Sequence, residues 1–176
     1  FVTGVTNVST GAVSNNDVLV LKYNSSGTQQ LAKIVGGNSN LDDIGSMSIT
    51  DASGNFYTAG ALVNNGTMKD AAVFNHNSSG TIQWNKTYNG GGEFTDKGTA
   101  MCFSSGILYS TGYTYAYGQD RNVCTIKYDA AGNKVWVKTF NGTGSAVDEP
   151  TGIAPDGSGN IYVAGRTKNA NGDYDM

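Results

Sequence analysis

Gly157-Ser158-Gly159-Asn160-Ile161-Tyr162-Val163-Ala164-Gly165 is the stretch on which the fold turns. Two relatives lie upstream, Ser53-Gly54-Asn55-Phe56-Tyr57-Thr58-Ala59-Gly60 and Ser105-Gly106-Ile107-Leu108-Tyr109-Ser110-Thr111-Gly112. Their tyrosines fall at 57, 109 and 162, spacings of 52 and 53 residues. Phe1-Val2-Thr3-Gly4 reads as the tail of a further copy. A glycine turn followed by alternating aromatic and β-branched residues, closed by glycine, is a strand behind a tight turn. A self-similar period near fifty residues outranks any single motif in deciding the architecture.

Working outward from that stretch, each period holds four strand signals. Asp17-Val18-Leu19-Val20-Leu21-Lys22-Tyr23 is apolar on both faces, and the turn Asn24-Ser25-Ser26-Gly27 leads to a second strand ending at Val35. A longer loop over 36–43, a third strand over 45–51 and the Tyr57 stretch complete the unit. The same order recurs from Asp70 and from Asn122, with turn glycines at 27, 80 and 132. Four residues beyond each lies Leu31, Trp84 or Trp136. The expectation is an all-β chain, a β-propeller of four-stranded antiparallel blades, with about three blades and partial ends belonging to a larger ring. Residues 1–16 would end a preceding blade and its connector. Blades would occupy 17–69, 70–121 and 122–174, and 175–176 would begin the next. The double-sided apolar strand from Asp17, and its counterpart from Asn122, are expected innermost, and the tryptophans between neighbouring blades.

Composition narrows the function classes. Glycine supplies 25 of 176 residues and charged residues only 14%, with a net charge of −3. That balance offers no general attraction for nucleic acid or an anionic membrane surface. No apolar run approaches the ~20 residues of a membrane-spanning helix. The chain opens inside a strand pattern, so the expectation is a piece of something longer. Cys102 and Cys124 lack metal-like spacing, and Cys124 takes the slot of Leu19 and Ala72, a small buried hydrophobe. His76, the single histidine, takes the slot of Tyr23 and Tyr128, an aromatic position. The Asp51, Asp129 and Asp156 turns hold too few oxygen ligands for calcium and read as Asp-capped turns. No metal, cofactor or catalytic residue is expected.

These units resemble the bacterial β-propeller repeat family known as SBBP repeats. The resemblance rests on Lys127-Tyr128-Asp129-Ala130-Ala131-Gly132-Asn133, Trp136, Thr139-Phe140-Asn141-Gly142, Asp148 and the Gly157–Gly165 stretch. The second repeat departs from it, with Asn75-His76 in place of Lys-Tyr and Phe103 in the slot of Asp51 and Asp156. The resemblance implies a secreted or surface-exposed bacterial protein, often large and multidomain, without shared catalytic residues.

Function is expected on one rim. Tight turns fall at one end of a meander, and the longer, variable segments at the other, where binding usually resides. That loop rim carries Asp42, Asp43, Glu93, Asp96, Asp148 and Glu149, and the connector Tyr113-Thr114-Tyr115-Ala116-Tyr117-Gly118-Gln119-Asp120-Arg121. Asp43 and Asp148 are equivalent and Asp96 nearly so, which suggests architecture. The candidate binding residues are Tyr113, Tyr115, Tyr117, Asp120, Arg121, Glu93 and Asp96. The leading expectation is a non-catalytic extracellular scaffold or interaction module, partnered by further blades of the same chain or by another copy of itself, with a protein or glycan ligand. Two alternatives stand beside it: part of a glycan-active or carbohydrate-binding propeller, and a self-assembling surface protein.

Overall fold

A computed structural model describes residues 2–10, 13–37, 41–63, 68–91, 94–143, 146–169 and 171–176. Among them the chain is all β. Its strands are β1 (Val2–Thr10), β2 (Val13–Tyr23), β3 (Gln29–Val35), β4 (Ile44–Thr50), β5 (Phe56–Leu62), β6 (Asp70–His76) and β7 (Ile82–Tyr88). They continue as β8 (Lys97–Ser104), β9 (Ile107–Tyr115), β10 (Arg121–Tyr128), β11 (Lys134–Phe140), β12 (Asp148–Pro155), β13 (Ile161–Lys168) and β14 (Tyr174–Asp175). No helix among the described residues is long and apolar enough to cross a membrane.

Four antiparallel meanders form: β1-β2-β3, β4-β5-β6-β7, β8-β9-β10-β11 and β12-β13-β14. These are propeller blades, and their phase corrects the expected boundaries. The unit starting at Asp17 was expected to be one sheet, yet its four strands divide between two. β2 and β3 belong to the first sheet, while β4 and β5 open the second. Sheet boundaries fall in the loops before Asp43, Asp96 and Asp148. The Asp17 and Asn122 strands are therefore third strands, not innermost ones. First strands take the inner place: β4 and β8 touch each other, and so do β8 and β12. β10 has a sheet on either side, while β2 buries its Val18 and Val20 face against the second sheet and leaves Leu19 and Leu21 half-buried, so an apolar strand does not reveal its distance from the axis.

The segment 5–16 also differs from the expected polar connector. β1 and β2 form one long hairpin, paired from Val2↔Leu21 out to Thr10↔Val13. Alternating valine and threonine in Val5-Thr6-Asn7-Val8 suffices to continue a strand. Phe1 itself lies outside the described residues.

The core sits in the seams. Val18, Val20, Val35, Phe56, Leu62 and Phe74 fill the seam between the first and second sheets. Val73, Met101, Leu108, Cys124, Ile126 and Tyr128 fill the next. Each large side chain so buried contributes about 1.5–3 kcal/mol. Trp84 lies edge-on to Tyr57 at 5.8 Å and stacks on Tyr128 of the third sheet at 6.2 Å. Trp136 meets Tyr109 at 5.9 Å, the counterpart of the Tyr57–Trp84 pair. The three tyrosines of the opening motif stand on β5, β9 and β13, each a second strand.

The closing glycine of that motif has a steric cause. β4, β8 and β12 each carry a bulge, between Gly45 and Met47, Gly98 and Ala100, and Pro150 and Gly152. The bulge pushes a carbonyl onto the neighbouring second strand. A Cβ on Gly60 would lie 1.9 Å from Ile44 O, on Gly112 1.9 Å from Lys97 O, and on Gly165 2.3 Å from Glu149 O. At Gly4, whose strand pairs with β2 alone among the described strands, a Cβ would meet nothing within 4 Å.

Candidate functional site

The alternation of tight turns and long loops does not depend on blade phase, so the loop rim survives the correction. Its framework is a buried aspartate at the start of each first strand. Asp43 accepts the N–H of Gly37 at 2.6 Å and of Val63 at 2.9 Å. Asp96 accepts Gly90 N–H at 2.8 Å, Thr114 Oγ1–H at 2.8 Å and Tyr115 N–H at 2.9 Å. Asp148 accepts Gly142 N–H at 2.7 Å and the Thr167 hydroxyl. Each carboxylate thus clasps the connector that enters its sheet to the far end of the second strand. Burial pushes the Asp43 and Asp96 carboxyls above the ordinary range, against the lowering pull of those N–H donors. The glycine of the clasp is also forced: a Cβ on Gly90 would lie 1.7 Å from Thr114 Oγ1. Asp96, a candidate binding residue, is only 1% exposed, and its oxygens are engaged in the clasp.

One residue past the clasp the sheets diverge. The paired positions are Ile44↔Ala61 in the second sheet, Lys97↔Tyr113 in the third and Glu149↔Arg166 in the fourth. The same backbone corner is apolar once, and elsewhere charged and aromatic. Arg121 links the last two sheets. Its Nη1 pairs with Glu149 Oε1, and its Nε donates to Tyr115 Oη at 2.9 Å. Its guanidinium lies 4.6 Å from the centre of the Tyr113 ring. Arg166 reaches the other Glu149 oxygen through Nη2 at 2.6 Å and lies over Tyr174 at 4.4 Å. Burial opposes the Glu149 charge, yet the Arg166 and Arg121 guanidiniums outweigh it and hold the carboxyl below its ordinary range. Burial raises the Tyr113 phenol, with Arg121 pulling the other way.

The structure therefore brings Tyr113, Tyr115 and Arg121 together. Asp120 sits at the bend, where Oδ1 accepts the N–H of Arg121 at 2.8 Å. Tyr117 stands clear of them, 94% exposed at the loop tip. Glu93 lies outside the described residues. Four members of the cluster escaped the sequence reading as binding residues: Phe94, stacked on Tyr115 at 5.0 Å, and Glu149, Arg166 and Tyr174. Their shared signal is the repeat position beside the clasp, legible only once the first strands are known to be neighbours across sheets.

Chemically, this corner offers aromatic faces and two guanidinium edges, the makings of a contact surface. Among the described residues no group of three or more His, Cys, Asp or Glu is placed to hold a metal ion. Residues 135–173 match the family model described as SBBP, beta-propeller repeat. That match runs from β11 across the Asp148 clasp to β13, so it too straddles two sheets. No curated protein matches the chain.

Proposed function

Since this chain carries a beta-propeller repeat of the SBBP family at 135–173, we propose that it is a non-catalytic interaction module of a larger extracellular bacterial protein, with its contact surface on the loop rim. The observation supporting this is the corner of the third and fourth sheets. A framework that repeats in the second, third and fourth sheets presents residues there that do not repeat: Tyr113, Tyr115, Arg121, Glu149, Arg166 and Tyr174. Repeated groups serve architecture; unrepeated, partly exposed ones on a rigid support serve recognition. The ligand is a protein or a glycan. The extracellular placement follows the family resemblance set out above. The free edge of β1 at Gly4 suits a strand of the β4 type, from further blades of the same chain or from another copy.

The test is a panel of glycans and surface proteins screened for binding, followed by hydrogen-exchange footprinting of any binder. Protection is expected at 113–121, 149 and 166–174. Protection confined to the tight-turn rim would overturn the proposal, as would turnover of a bound glycan.

A further inference from the structure

His76 has an environment unlike that of the other titratable groups described. It is 0% exposed, and its ring stacks on Phe56 at 4.4 Å with planes 7° apart. Phe74 lies 5.9 Å away on the same strand. Neither Nδ1 nor Nε2 makes a hydrogen bond of ordinary geometry; the nearest polar group acting on the ring is the Gly80 backbone. The ring sits at the tight-turn end of the seam between the first and second sheets. There the turn glycine Gly80 packs so closely on β3 that a Cβ would meet Lys33 Cε at 2.9 Å and Leu31 Cδ1 at 3.1 Å. Lys33, on β3, is the charged group acting on the ring from the first sheet, while Phe56 and Phe74 offer no charge. The corresponding slot of the next seam holds Tyr128, a group that stays neutral through the acid range and is only 2% exposed.

We infer that the seam between the first and second sheets is an acid-sensitive joint keyed by His76, and that mild acidification loosens the first sheet while the second and third stay joined. A neutral imidazole tolerates this apolar stack. An imidazolium would place a cation against Lys33 across the seam, with the Gly80 backbone to accept one of its two N–H donors and no carboxylate among the charges acting on it. Burial accordingly drives the histidine down to about 4, against the upward pull of a hydrogen bond with the Gly80 backbone and with a smaller downward push from Lys33. The sign follows. A depressed folded pKa means the joint is intact above the unfolded value of about 6.5 and weakens as pH falls toward the folded one. The clasp carboxyls Asp43 and Asp96 are shifted the same way in both seams and do not distinguish them.

The experiment is hydrogen exchange on the intact chain at pH 7.5 and pH 4.5, corrected for intrinsic rates. Opening of β2 and β3 should rise roughly a hundredfold relative to β8–β10, as a shift of this size requires. His76→Phe, and His76→Tyr as found in the other repeats, should flatten that response. Uniform loosening of all sheets, or an unchanged response in both variants, would overturn the inference. If neither variant folds, the imidazole carbon shifts of the native protein decide: a titration midpoint near 6.5 in the folded state would also overturn it.

Discussion

Asp96 accepts the backbone N–H of Gly90 at 2.8 Å, across the six residues that carry the chain from the second sheet into the third. Its other oxygen holds Thr114 and Tyr115. Removing a buried acceptor leaves these donors without a partner, at a cost set by their desolvation. Asp96→Ala should lower stability by about 2–4 kcal/mol, read as a shift in the urea midpoint with little change in slope. Asp120→Ala, at the exposed bend, should stay within about 0.5 kcal/mol of the parent.

The closing glycines offer a paired test. Gly112→Ala would drive a methyl onto Lys97 O at 1.9 Å, a backbone atom that cannot swing aside. A loss of several kcal/mol, or failure to fold, is expected, since overpacking alone costs ~1–3 kcal/mol and here the bulge itself must move. Gly4→Ala, in the same repeat position but with nothing within 4 Å, should be neutral or slightly stabilising. Thermal melts of the two variants check both arms.

The Arg121–Glu149 pair joins the third and fourth sheets in a half-exposed setting. A double-mutant cycle with Arg121→Gln and Glu149→Gln should give a coupling of about 0.5–1 kcal/mol, discounted because solvent screens Arg121. Because the folded Glu149 carboxyl lies below its ordinary range, the coupling is fully present above about pH 4.5 and lost as pH falls through the folded value. Repeating the cycle at pH 3 and in high salt should bring it toward zero.

The cysteines should separate by reactivity. Burial pushes the Cys124 thiol up to about 12, and raises Cys102 as well. Cys102 is partly exposed, while Cys124 is 4% exposed within the seam. A maleimide or disulfide reagent at pH 8 should label Cys102 first, with Cys124 reacting only as fast as the protein opens.

The strands, their lengths and their kinship were legible in the sequence because turn glycines and alternating side chains are local signals. Partnership was not. Val18 and Val20 look the same whether their strand is first or third in a sheet, since a neighbouring sheet buries that face in either place. The feature that decides it is the bulge beside Gly60, Gly112 and Gly165, and a bulge is written as a close approach between strands instead of as a residue type. For the candidate site, tyrosines 113 and 115 and Arg121 stood out by their crowding in one connector. Arg166 and Tyr174 did not, because they join the group only across a sheet boundary. The second repeat's missing turn aspartate is explained by a tighter hairpin: Ser105 and Gly106 both take positive φ, 50° and 77°, which suits a two-residue turn.

The offset between period and sheet has a consequence for how such an array changes length. A block of DNA encoding one period specifies the outer half of one blade and the inner half of its successor. Gain or loss of such a block would leave every remaining blade stitched from two adjacent copies, with no severed edge at the join. Ring size could then drift by whole blades during evolution while each junction keeps the same aspartate clasp.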